Sequence, residues 1–356
     1  MNPKTDYKNI LIKNAVPIFF AAICIFGVIS ADINMSFLMS ELISRLARNS
    51  FLVLSLIIPV IAGLGLNFGI VLGAMSAQAA LIAVTHWQYS GWEASPLSAF
   101  LIATLISTPI AIIAGFLVGK ILNKAKGREM ITSMMLGFFA NGIYQLIFLV
   151  LVGSVIPMEN RRMMLPSGVG LRNTVDIYRT SGNALNNIIS VQAGTIRIPV
   201  FTLIVVAVLC VALYFFLRTK LGQQLRAVGQ DMHVSEVSGI NVNKMRIIAV
   251  IISTVLAAWG QLIFLQDIGT INTYNSHEQV GMFAIAALLV GGANTKKATI
   301  AQALIGVILF HTLFVVSPLA GQSLFGIAQI GEYFRVFIAY GVIGVALALH
   351  AWKKNK

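Results

Sequence analysis

Long apolar runs, several of them without a charged side chain, limit the folds open to this chain more than any other feature. One of them, TLIVVAVLCVALYFF, extends from Thr202 to Phe216. Only 10% of the 356 residues are charged and the mean hydropathy is +0.86, whereas a soluble domain carries about 25% charged residues. Because most of the runs approach the roughly 20 residues that cross a bilayer, we predict an all-α, polytopic integral membrane protein.

The apolar windows predict about ten transmembrane segments in one membrane domain, residues 1–356. The predicted segments are Leu11–Ser30, Phe51–Leu64, Asn67–Thr85, Leu97–Val118, Met130–Val152, Ile198–Leu217, Ile247–Leu265, Val280–Gly292, Thr299–Val316 and Tyr333–Ala351. The second and eighth are too short for a straight span. We expect a first half over about 51–152 and a second half over about 247–351.

The distribution of charge predicts the orientation of these segments. With the N-terminus inside, most of the 25 Lys and Arg, but a minority of the 12 Asp and Glu, fall on the inner side, which then carries the whole net charge of +13. This is the positive-inside pattern. We therefore expect both termini and a loop at 218–246 in the cytosol, and a long loop at 155–197 outside. Because membrane orientation explains the basic residues, they do not indicate a nucleic-acid partner. Asn34–Arg48 is predicted as an amphipathic helix in the outer interface.

Two glycine-rich interruptions suggest an internal inverted repeat. The first half starts outside and the second starts inside, so the two halves have opposite topology. Glycines break the apolar pattern over 63–69 in the first half and over 281–292 in the second. Broken helices at matched positions are typical of the solute path in transporters.

Polar side chains within the predicted spans indicate where such a path would run. Buried polar groups in a bilayer must face a partner or water, and simple interhelical hydrogen bonding is the alternative explanation. Mid-span Asp, Glu, Lys or Arg, which ion-driven carriers usually need, are absent from the predicted spans. The residues that we predict to line the path are Asn67, Gln78, Asn141, Gln145 and Phe283.

The polar segment Arg218–Arg246 lies between two long apolar runs and contains capping signals for a short helix. Asp231 is a suitable N-cap and Gly239 a suitable C-terminal cap, which predicts about two helical turns over Met232–Ser238. A helix of this length is not stable alone in water. We therefore expect it to dock on its own membrane domain or on a partner.

Motifs in and around this segment resemble the permease subunits of ABC importers for ribose-type sugars, nucleosides and branched-chain amino acids. The resemblance rests on LRAVG ending at Gly229, on GINV starting at Gly239, on EMIT starting at Glu129 and on GMFAIA starting at Gly281. It implies a dimeric permease core, identical or paralogous, with a cytosolic ABC ATPase dimer and an extracytoplasmic solute-binding protein. It also implies coupling to the ATPase through Arg226, Ala227, Gly229, Asp231, Glu236, Gly239, Ile240 and Val242.

The sequence therefore predicts a transport subunit of a prokaryotic cytoplasmic membrane rather than an enzyme. No phosphate-binding loop, nucleophile motif or metal-ligand spacing is present, so ATP is expected on the partner and no cofactor on this chain. The expected solute is small and hydroxylated, a simple sugar or nucleoside, with a branched-chain amino acid or riboflavin-like metabolite as alternatives. An ion-coupled secondary carrier or channel is the alternative class.

Overall fold

The computed structural model describes residues 14–158, 160–194 and 196–354, and within them the fold is mostly helical. The helices are α1 Ala15–Ser30, α2 Met35–Ser55, α3 Ile57–Ile61, α4 Ile70–Tyr89, α5 Pro96–Lys124, α6 Glu129–Leu146, α7 Val200–Phe216, α8 Lys220–Gln230, α9 Met232–Val237, α10 Val242–Ile268, α11 Ser276–Val290, α12 Ile300–Phe325 and α13 Ala328–Lys354. A π-helical turn, Ile147–Leu151, extends α6. Residues 1–13, which include Lys4, Lys8 and Lys13 of the charge argument, lie outside the described part, as do the last two residues.

The expected count of about ten spans is not supported. By length and composition, six helices of the described residues could cross a membrane, or seven if the bent pair α7–α8 is one span. The helices α1 and α11 are apolar but shorter, and the predicted segment 51–64 is divided between α2 and α3. The coarser prediction, a mostly helical protein with several membrane spans, is confirmed.

The predicted interfacial helix Asn34–Arg48 is wrong as a separate element. The Asn34 side chain caps a continuous helix, α2, which extends from Met35 to Ser55 without a break at Arg48. Phe51–Ser55 are buried in the core, so the helix that begins with an amphipathic pattern ends inside the bundle. On the polar face, Arg48 forms an ion pair with Asp267 of α10, and Glu41 pairs with Arg45 of the same helix.

The core is built around α10, which packs against α5, α4 and α2. Small residues allow these close contacts: a Cβ at Gly115 of α5 would lie 2.9 Å from Cα of Ile251 in α10. A Cβ at Gly73 of α4 would overlap the carbonyl oxygen of Thr254. Backbones that approach this closely are typical of helix packing in membranes.

Short strands lie at the end of the bundle that we call the loop side, where residues 153–199 connect α6 to α7. The strands β1 (Thr174–Asp176) and β4 (Thr270–Asn272) pair in antiparallel register, and β2 (Val191–Ala193) pairs with β3 (Ile196–Ile198). The pairing of β1 with β4 attaches the long loop to the connection between α10 and α11. The opposite end, which carries α8 and α9, is the α8 side.

Two breaks in the helical pattern lie at the predicted glycine interruptions, although Gly281, predicted as part of the second interruption, lies inside the continuous helix α11. Residues 62–69 separate α3 from α4, with positive φ at Gly63 and Gly65. Residues 291–299 separate α11 from α12, with positive φ at Gly292. A Cβ at Gly65 would lie 3.8 Å from the carbonyl oxygen of Thr295, so the two breaks are neighbours on the α8 side.

Candidate functional site

The α8 side carries the predicted short helix, and its capping prediction is confirmed. The Asp231 carboxylate accepts a hydrogen bond of 2.9 Å from the backbone N–H of Val234 at the start of α9. The helix ends at Val237, and Gly239 follows with φ of +80°. Sequence reasoning missed α8, which Thr219 caps and which is bent by 74° from α7.

The eight predicted coupling residues divide into an exposed group and a packed group. Arg226, Asp231, Glu236 and Gly239 are exposed, Ala227, Gly229 and Ile240 are half-buried, and Val242 is buried. On α9 itself Val234 and Val237 are 59% and 77% exposed. Two apolar side chains of this six-residue helix are therefore exposed on the described part of the chain.

Gly229 joins α8 directly to the first break. A Cβ at Gly229 would overlap the carbonyl oxygen of Ile61, and a Cβ at Gly63 would lie 2.9 Å from Cα of Gly229. The contact is therefore backbone on backbone, with no flexible side chain between the two segments.

Arg246 forms a second connection on the α8 side and is fully buried. Its guanidinium donates to Oε1 of Glu129 at 2.7 Å, to Oδ1 of Asn123 at 2.9 Å and to the carbonyl oxygen of Leu122 at 3.3 Å. It also lies 3.5 Å from Sδ of Met232 in α9. One side chain thus joins α9 and α10 to α5 and α6, although its charge was first attributed to membrane orientation alone.

A buried cluster of polar side chains lies toward the loop side, where α4, α6 and α11 meet. Nδ1 of His277 lies 3.0 Å from Oε1 of Gln78, and its Nε2 lies 2.8 Å from Oδ1 of Asn141. Glu278 accepts a hydrogen bond from the Asn141 amide, and the Tyr144 ring packs on His277 at 4.7 Å. The structure thus brings together two of the predicted path residues through a histidine.

The connection between α10 and α11 covers this cluster. The Gln78 amide also donates to the carbonyl oxygens of Asn272 and Thr273, at 2.8 Å each. The Tyr274 hydroxyl donates to the carbonyl oxygen of Leu171 at 2.8 Å, and burial raises the pKa of Tyr274. Tyr274 therefore remains a neutral donor that ties the long loop to the start of α11.

The other three predicted path residues have separate surroundings. Asn67 lies in the first break, where its side chain accepts a hydrogen bond of 3.0 Å from the N–H of Gly69, an interaction that shapes the start of α4. Gln145 lies one turn after Asn141, and no hydrogen bond within the described residues joins it to the cluster. Phe283 faces a cavity between α2, α10, α11 and α12.

The expectation that charged residues avoid the spans is wrong for α2. Arg48 lies inside this candidate span and forms an ion pair of 2.8 Å with Asp267 at the end of α10. Asn186 of the long loop donates to the same carboxylate at 2.7 Å. The sequence could not show this because the two partners are more than two hundred residues apart. Neither His277 nor Arg48 was predicted, since an isolated histidine or arginine carries no local signal.

Metal chemistry has no support in the described residues, which contain no group of three or more His, Cys, Asp and Glu that could hold an ion. The free cysteines, Cys24 and Cys210, lie far apart in the sequence on α1 and α7. The polar cluster consists of amide, imidazole and carboxylate groups that hydrogen-bond to one another.

Comparison with known proteins gives a family for this arrangement. The model for the permease component of branched-chain amino acid transport systems matches residues 38–347. The chain is 33% identical over 156 residues to the nucleoside ABC transporter permease protein NupC of Lactococcus lactis, a match of 44% of this chain and 47% of that protein. The xylose transport system permease XylH of Haemophilus influenzae is 27% identical over 45% of this chain and 40% of its own length.

A third relative covers most of both chains. The ribose import permease RbsC of Haemophilus influenzae is 24% identical over 336 residues, 92% of this chain and 90% of its own. The chain thus spans less than half the length of the first two relatives and most of the third. No solved structure matches. Because the family model covers most of the sequence, the chain belongs to this family and is an ABC permease, a multi-pass membrane subunit of a transport system.

Proposed function

We propose that this chain is the membrane-spanning subunit of an ATP-driven importer and translocates a small hydroxylated solute by alternating access. A separate cytosolic ATPase dimer would dock on the 218–246 segment, and a second permease subunit and an outer binding protein would complete the assembly. In this proposal the α8 side and both termini are cytosolic, the loop side faces outward, and the two halves are inverted repeats.

The observation that carries the proposal is the contact of Gly229 with Ile61 and Gly63. It places the candidate docking helices against the first break, and the first break against the second through Gly65 and Thr295. The first break precedes α4 and the second follows α11. Both helices contribute side chains to the polar cluster. Movement imposed on α8 and α9 can therefore reach the cluster through rigid elements, which is what an ATP-coupled carrier requires.

The relatives and the chemistry of the cluster support the proposed solute class. The named relatives serve nucleosides, ribose and xylose, all of which carry several hydroxyl groups. Gln78, Asn141 and His277 supply both donors and acceptors, as hydroxyl groups require. A branched-chain amino acid or a riboflavin-like metabolite is the remaining alternative.

Docking can be tested at the exposed face of α9. We expect Val237→Asp to prevent co-purification with a candidate ABC ATPase that the unaltered chain retains and to abolish ATP-dependent uptake, because it places a charge in an apolar contact. Val191→Asp is the matched control, since Val191 is 49% exposed on β2 at the opposite end. Retention of both ATPase binding and uptake by Val237→Asp contradicts the docking role.

An ion-coupled carrier is the second candidate, and Glu278 beside Asn141 favours it, since a carboxylate in a polar cluster can bind a cation. The two candidates separate in proteoliposomes that contain this chain alone. Uptake driven by a proton or sodium gradient without ATPase or ATP would favour the carrier. Uptake that requires the ATPase, and ATP on the side of the membrane that corresponds to the cytosol, supports the importer.

A further inference from the structure

A cavity of about 370 Å³ lies on the loop side between α2, α10, α11 and α12. Ligand sites in proteins are typically clefts of about 300–1,000 Å³, so the cavity can hold a small solute. Its polar lining includes Arg45, Arg48, Asn49, Asn275, Ser276 and His311. Ser276 directly precedes His277, so the cavity and the polar cluster adjoin along α11.

Two buried nitrogen atoms at this cavity lack a partner. His311 is 7% exposed, and its Nδ1 is inaccessible to solvent. This atom has no hydrogen-bond partner among residues 14–158, 160–194 and 196–354. Nε of Arg48 is also buried without a partner among these residues, whereas Nη1 of Arg48 donates a hydrogen bond to the Asp267 carboxylate. Leaving a buried polar atom unpaired costs about 1–3 kcal/mol, so such atoms point to a missing partner.

The charged groups of the lining are donors. The guanidinium groups of Arg45 and Arg48 only donate, and the described lining residues include no Asp or Glu, whereas the amide and hydroxyl groups of the lining both donate and accept. A simple sugar presents hydroxyl groups that each donate as well as accept, and it would find no carboxylate acceptor here. A ligand rich in carbonyl oxygens matches this lining better.

An aromatic wall adds a requirement for shape. The rings of Phe283 and Phe314 lie 4.8 Å apart and both line the cavity, with His311 packed 6.2 Å from Phe314. Aromatic faces bind flat, unsaturated rings through stacking and edge contacts. The cavity therefore combines a surface for a flat ring with donors for oxygen atoms at its edge.

We propose that this cavity recognises a flat heterocycle that carries carbonyl oxygens, as the base of a nucleoside does. The ring packs on Phe283 and Phe314, and its oxygens accept hydrogen bonds from Arg48 and His311, whose side chains both line the cavity. The identification of the bound molecule as the transported solute rests on the proposed function, whereas the binding site itself does not.

Binding to the purified full chain in lipid nanodiscs tests the site. Uridine should bind measurably by equilibrium dialysis, and ribose and xylose at least tenfold more weakly. His311→Phe retains an aromatic ring beside Phe310 and Phe314 but removes the donor, and we expect it to weaken uridine binding about five- to tenfold. His86→Phe is the control, because Nδ1 of His86 is also unpaired but does not line the cavity.

A second variant covers the case in which His311→Phe fails to fold. Phe314→Leu keeps apolar volume and removes the flat face, so it should weaken uridine binding about tenfold or more. Binding of ribose as tight as that of uridine, or unchanged uridine affinity in a folded variant, overturns the proposal. These measurements use neither ATP nor the ATPase, so failure of the importer model alone leaves their result unaffected.

Discussion

Replacing Glu129 by alanine should strongly destabilise the α8 side of the protein. Arg246 is fully buried and Glu129 is 8% exposed, and their ion pair of 2.7 Å is shielded from water. Removing one partner of a buried pair costs about 3–5 kcal/mol, because the remaining charge stays buried without compensation. Asn123 and the carbonyl oxygen of Leu122 still accept from the guanidinium, so we expect the lower end, about 3 kcal/mol.

The assay is reversible unfolding of the detergent-purified chain by SDS titration, with the free energy of unfolding compared between variants. Glu129→Gln retains an acceptor oxygen and should lose less than Glu129→Ala. The double variant Glu129→Leu with Arg246→Met removes both charges and should recover much of the loss. A change below about 0.5 kcal/mol in Glu129→Ala would refute the view that this pair is shielded and joins α9 and α10 to α5 and α6.

Three further variants test separate contacts. Gly229→Ala should destabilise the protein and impair uptake because its Cβ overlaps the Ile61 carbonyl, whereas Gly142→Ala on α6, where nothing lies within 4 Å, should be neutral or slightly stabilising in thermal unfolding. Asp231→Ala should lose about 1 kcal/mol of capping energy, seen as faster hydrogen exchange in α9, while Asp231→Asn should not. Asn141→Leu should cost about 1–3 kcal/mol in SDS unfolding by leaving Nε2 of His277 without a partner, while Nδ1 keeps Gln78; no loss would contradict the cluster geometry.

Local signals in the sequence predicted the elements that depend on local physics. The cap at Asp231 and the turn at Gly239 were predictable because a side-chain cap and a positive φ are decided within a few residues. The breaks at Gly63, Gly65 and Gly292 followed from glycine placement in the same way, whereas Gly281 lies inside α11. The helical membrane class followed from composition, because a bilayer constrains every apolar run alike.

Features that depend on distant partners were not predictable. The pairing of Arg48 with Asp267 and of Arg246 with Glu129 joins residues far apart in the sequence, and each charge looked like a loop or interface residue on its own. The same holds for His277, whose partners Gln78 and Asn141 come from two other helices. The span count failed because α1 and α11 are shorter than the other candidate spans and α7 passes as a span only together with the bent α8.

The glycine contact on the α8 side also fixes the length of α8. A residue in a helix is rotated by about 100° from the one before it, because there are 3.6 residues per turn. Inserting or deleting one residue between Thr219 and Gly229 would therefore direct Val228 or Gln230 at the Ile61 carbonyl, where even a Cβ has no room. The connection between the capped start of α8 and the broken helix thus tolerates changes of side chain at exposed positions but not a change of register.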